Sequence, residues 1–154
     1  QEAELAHARR PGERERAAYR PEDWEPYASA GRLEPVAGPK EIRPGLTVTP
    51  IPGHFPGMQA VRIDSLGRTA LYFAEALPTS AHVPIPWTMA SDLYPVELIQ
   101  GKKRLLDRAA AEGWLCVFEN DPDVPWGTLV DEVNGRRRVH VVPASQTEYG
   151  ALGG

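Results

Sequence analysis

The sequence predicts an α/β (α+β) domain, a mixed sheet with one long helix, and three observations carry that expectation. Two short apolar runs, residues 70–73 and 114–118, have the length and composition of strands buried on both faces. Between them, residues 95–112 repeat apolar side chains at helical spacing. The 14 glycines and 16 prolines among 154 residues mark many turns, which suits a sheet better than a helical bundle. The length argues for one domain.

Taken in order, residues 1–32 form a charged N-terminal segment whose start is expected to be loosely ordered. Short helices are expected at 12–19, ended by Pro21, and at 21–30, with Glu22 and Asp23 in the first turn and Gly31 as the stop. Residues 33–143 read as the structured domain. Brief strands fit 33–36 and 46–51, separated by turns at Gly38-Pro39 and Pro44-Gly45. Residues 52–57 must be a loop. Val61 and Ile63 alternate with Arg62 and Asp64 as a further strand, and Ser65-Leu66-Gly67 turns the chain towards 70–73. Residues 78–92 hold three prolines and no period, so a long loop is expected, and long loops often carry function.

In the helix, Pro95 suits the first turn and Gly113 the stop. Leu98, Ile99, Leu105, Leu106, Ala109 and Ala110 make the buried stripe, and Lys102, Lys103, Arg104 and Arg108 the wet face. Cys116 falls in the strand 114–118 and reads as an inert core thiol. A hairpin over 126–133 and 137–142 is expected to turn at Asn134-Gly135 with type I′ geometry. Residues 144–154 read as a frayed tail.

Several functions are excluded. A net charge of −4 without a basic stripe argues against nucleic-acid binding by bulk charge. No apolar run reaches the ~18 residues of a membrane span, and no signal-peptide pattern opens the chain. The single cysteine rules out an internal disulfide and a Cys-rich zinc finger, and points to a reducing cytoplasm.

Three polar residues follow strand ends: His54 after 46–51, Glu75 after 70–73, and Asn120 after 114–118. Groups so placed converge on one rim of a sheet, where α/β proteins tend to build ligand sites. Imidazole and carboxylate are good ligands for zinc or iron, and an amide oxygen is a weak one. Each also has a plainer reading: His54 as a loop histidine, Glu75 as a capping or ion-paired carboxylate, Asn120 as a turn starter before Asp121-Pro122. His82, in the long loop, either lines a substrate pocket or faces solvent. His7 and His140 read as structural or solvated. Trp87, Trp114 and Trp126 fit a pocket wall or ordinary core packing.

The order Thr49-Pro50-Ile51-Pro52-Gly53-His54-Phe55-Pro56-Gly57, an apolar strand ending in an acid, a loop and helix, then Glu119-Asn120-Asp121-Pro122 resembles the C-terminal half of the metallo-β-lactamase fold superfamily. The resemblance covers roughly residues 14–143, and 97–122 look like the lactonase-like hydrolase branch. It implies half of an αββα sandwich. It also implies metal ligation by His54, with Glu75 in place of an Asp that bridges two metals and Asn120 in place of a histidine. The implied cofactor is zinc in a two-metal site, or iron, and the implied reaction is hydrolysis of an ester- or lactone-type bond in a small-molecule substrate by metal-activated water. The His-x-His-x-Asp-His motif of the family's N-terminal half does not occur, so no catalytic residue is assigned and the site is incomplete. The lone half-fold implies that its sheet face is covered by a missing N-terminal half or by a second copy of the chain. The alternative is a non-catalytic remnant or self-associating binding module that keeps the scaffold without the metal site.

Overall fold

Strand pairing follows chain order across one seven-stranded sheet, β1 (Lys40–Arg43), β2 (Leu46–Pro50), β3 (Gln59–Ser65), β4 (Arg68–Tyr72), β5 (Leu115–Val117), β6 (Trp126–Asp131) and β7 (Arg137–Val141). The computed structural model describes residues 1–143, so the tail read as frayed lies outside the described residues. Every pairing is antiparallel except β4 with β5, which run parallel. A parallel neighbour needs a crossover. The long loop and helix α3 (Pro95–Glu112) supply it, and α3 ends at Gly113 in the left-handed conformation, φ +66°.

The register sorts the sheet's side chains into two faces. Ala60, Leu71, Cys116 and Leu129, with half-buried Val139, share one face and form the core with Leu98, Leu105, Leu106 and Ala109 of α3. The other face carries Val48, Val61, Tyr72, Val117 and Trp126 in one row, and Leu46, Ile63, Ala70 and Leu115 in the next. None of these nine joins the core cluster. The apolar runs at 70–73 and 114–118 were expected to be buried on both faces. Their alternate residues Ala70, Tyr72, Leu115 and Val117 are instead half-buried, because α3 covers one side only.

Other departures from expectation have local causes. The start of the chain is ordered, with α1 (Glu2–Ala8) tied to the body where Glu2 N–H donates to the Val36 carbonyl. The helix expected over 12–19 is a single 3-10 turn, Arg16–Ala18, with the Glu15 carboxylate accepting from the Gly12 N–H before it. α2 (Pro21–Ser29) forms as expected. Residues 33–36 make no strand, and the first strand is the fully exposed, charged β1, which has no apolar alternation to reveal it. The β6–β7 turn is not type I′. Gly135 alone has positive φ there, and its N–H closes on the Glu132 carbonyl. The two consecutive left-handed residues of a I′ turn occur at Leu66 and Gly67 instead, φ +50° and +72°.

Candidate functional site at the strand-end rim

The loop after β2 is pressed onto the start of α3. A Cβ on Gly53, whose φ is +142°, would lie 2.3 Å from Leu98 Cβ. Gly53 is therefore the residue that lets the loop come so close. Its carbonyl accepts from Tyr94 N–H at 2.8 Å, and that of His54 accepts from Leu93 N–H at 3.2 Å. The His54 side chain is buried, and Nδ1 sits 2.9 Å from the Asp92 carboxylate, whose second oxygen accepts from Met89 N–H at 2.7 Å. A carboxylate acceptor fixes the donor role of Nδ1 and leaves Nε2 as the nitrogen with a lone pair, the arrangement found behind metal-ligating histidines. Asp92 escaped the sequence reading, since a lone acid in a Pro-rich loop carries no pattern.

Glu75 follows Ala74, a non-glycine residue held at φ +51°. Such conformations persist only where surrounding structure enforces them. Asn120 Nδ2 donates to Glu75 Oε1 at 3.0 Å, so two of the three rim residues meet. Among the described residues no hydrogen bond or ion pair links either of them to His54. Asp121, next in sequence, pins the β5–β6 loop to the long loop: one oxygen accepts from Ser80 N–H and Oγ–H, the other from the N–H groups of Asp123 and Val124.

His82 is half-buried, with Nδ1 2.8 Å from Thr79 Oγ1. Burial and the Lys102 charge hold its pKa below the ordinary value, while Asp92 and Glu75 pull the other way, so it stands in the field of both site acids. Lys102 contradicts its expected place on the wet face of α3. It is fully buried, and its ammonium donates to the carbonyls of His82, Pro84 and Trp87 at 2.6, 3.1 and 2.6 Å. A lysine can reach such a place because three carbonyl acceptors satisfy its three donors. Lys103 and Arg108 do lie outside, paired with Asp107 and Glu112.

The remaining candidates disperse. Trp114 is buried against Arg62 and Arg108, Trp126 donates to the Val142 carbonyl, and Trp87 is exposed on the long loop, so the tryptophans build no common wall. Cys116 is buried, and its thiol is pushed up to about 12, as befits a core residue. His7 pairs with Glu15, and His140 is exposed on β7.

A catalytic zinc takes about three protein ligands and one open position. Among the described residues no group of three or more His, Cys, Asp or Glu side chains is placed to hold a metal ion. The described donors do not make such a site by themselves. Among the described residues no helix is long and apolar enough to cross a membrane.

No family model matches the sequence, and no curated protein is significantly similar to it. Solved structures do share its fold. A probable metal-dependent hydrolase from Staphylococcus aureus superposes with a TM-score of 0.78 at 22% identity, over 93% of this chain and 52% of its own. AbOPH, a hydrolase in the beta lactamase superfamily, gives 0.73 at 15% identity, over 90% and 50%. AidC, a dizinc quorum-quenching lactonase, gives 0.63 at 18% identity, over 75% and 40%. At these identities the likeness is one of fold, and the chain spans about half the length of the structures it matches.

Proposed function

We propose that this chain, which has the fold of about half of a metallo-β-lactamase-type hydrolase, contributes the His54 and Glu75 side of a metal-dependent hydrolase for ester- or lactone-type bonds in small molecules. The observation that carries this reading is the buried His54–Asp92 pair at the end of β2, which presents one imidazole nitrogen in a fixed orientation. Zinc, or iron, is the cofactor class that this reading calls for. Because the described donors fall short of a metal site, the reading requires further ligands from a segment outside the described residues. Such a segment would also cover the apolar sheet face of Val61, Tyr72 and Val117. Within the chain, Asp92 holds the imidazole, Asn120 holds Glu75, and His82 stands beside them as a substrate-contacting side chain.

A second reading, a non-catalytic remnant or self-associating binding module, is favoured by the Asn120–Glu75 hydrogen bond, which turns the amide nitrogen of Asn120, a donor and no metal ligand, onto a Glu75 oxygen. The two readings separate experimentally. DNA immediately upstream of the Gln1 codon is read for an in-frame His-x-His-x-Asp-His segment, and the longest natural product is assayed for bound metal and for esterase and lactonase activity. The hydrolase reading expects stoichiometric metal that falls at least roughly tenfold in affinity on His54→Ala. A natural product that binds no metal and cleaves neither bond class establishes the second reading.

A further inference from the structure

The first nineteen residues lie against the loop that carries His54. Glu4 of α1 is the joint: one carboxylate oxygen accepts from Gly57 N–H at 2.8 Å, and the other from the Tyr19 hydroxyl. The approach is so close that a Cβ on Gly57 would sit 2.2 Å from the Glu4 backbone nitrogen. Tyr19 then touches the loop with its ring, whose centroid is 5.0 Å from that of Phe55, and Phe55 lies 4.4 Å from the His54 imidazole, tilted by 54°. His7 meets the other side of Tyr19 edge-on at 5.4 Å, and its Nε2 is 2.9 Å from the Glu15 carboxylate. Arg14 also donates to the carbonyl of Ala90, two residues before Asp92. Burial and the hydrogen bond to Glu4 raise the Tyr19 pKa well above the ordinary tyrosine range, so the hydroxyl remains a donor.

The bond to Asp92 fixes one nitrogen of His54 and leaves the ring free to rock about that bond. An aromatic surface against the imidazole removes this remaining freedom. Phe55 supplies the surface, and Phe55 belongs to a short loop whose far end, Gly57, hangs from Glu4.

We propose that Glu4 and Tyr19 are positioning residues for His54, bracing its imidazole through Phe55 and Gly57 in the orientation that Asp92 selects. The proposal rests on the reading of His54 as the ligand-bearing group of the site. It assigns the charged N-terminal segment a part in the site.

The test uses the whole protein without added metal and reads the His54 ring nitrogens by long-range proton–nitrogen NMR, together with hydrogen exchange at the Gly57 amide. Glu4→Ala and Tyr19→Leu are compared with Leu129→Ala, a core truncation in β6. Both strap variants are expected to move His54 from one Nδ1-protonated form to an averaged signal. They are also expected to speed Gly57 exchange roughly tenfold or more. Leu129→Ala should lower global stability and leave the His54 signal in place. Unchanged His54 and Gly57 signals in both strap variants overturn the proposal, as does an equal change in Leu129→Ala. Because neither readout involves metal or turnover, failure here is distinct from failure of the hydrolase reading.

Discussion

Lys102 holds three carbonyls of one loop from a position that helical spacing assigns to solvent. Pro84 and Pro86 have no N–H, so the loop has few backbone donors of its own: Trp87 N–H reaches the Pro84 carbonyl at 3.1 Å, and the ammonium serves that carbonyl together with those of His82 and Trp87. Lys102→Met keeps the aliphatic volume and removes the donors. It is expected to lower the unfolding free energy by roughly 1–3 kcal/mol, read by urea titration at pH 7. Burial brings the ammonium down from an ordinary 10.5 to about 8, with Asp92 opposing. Between those values the unfolded chain binds the proton that the folded chain has released, so this group's contribution to stability rises with pH across that window. The stability difference between the native protein and Lys102→Met should therefore shift in favour of the native protein from pH 7.5 to 9.5. A difference that stays flat would contradict this account.

At the level of elements, the β5–β6 loop hangs on one carboxylate. Burial raises the Asp121 pKa, but the hydrogen bonds from Ser80, Val124 and Asp123 outweigh it and hold the group below the ordinary carboxylate value. Its stabilising contribution is present above the unfolded-state pKa and disappears as the pH falls through the folded one. Asp121→Asn is expected to cost about 1–3 kcal/mol at neutral pH. Thermal melts should converge with those of the native protein in acid. The same elements show how far a sequence can be read. β2, β3 and α3 were legible because burial on one side imposes a period of two or 3.6 on apolar residues. β1 was not, because all four of its residues are exposed. α1 was not, because its apolar residues other than Leu5 are alanines and its order comes from contacts with Val36 and Gly57, far along the chain. At the rim, the placement of His54, Glu75 and Asn120 after strand ends could be anticipated, but the hydrogen bond between the last two could not. The contacts of Asp92, Glu4 and Tyr19 could not, because they join residues 15 to 53 positions apart that no local pattern links.

The whole molecule presents a sheet with one covered face and one largely apolar face without a helix layer from α3. Soluble proteins seldom leave a contiguous apolar surface of more than a few hundred Å² in water. The chain by itself is therefore expected to associate through Val61, Tyr72 and Val117. Val117→Lys places a charge in the middle of that row, and it should shift the sedimentation profile towards monomer with little loss of core packing. If the variant and the native chain sediment alike, the face is not the site of association.

The strict agreement between strand order and chain order has a further consequence, for how the molecule is made. Each strand finds its partner next to it in sequence, except that β5 must wait for the long loop and α3 before lying beside β4. Contacts of short sequence separation form early and quickly. The antiparallel quartet from β1 to β4 can zip together while the ribosome is still adding α3, and the β5–β7 meander can then dock on its open edge. Among the described residues, all seven paired strands come from this one chain. It should therefore fold as an autonomous unit when co-expressed with a separately encoded companion, which is the condition for reconstituting a divided protein from two polypeptides.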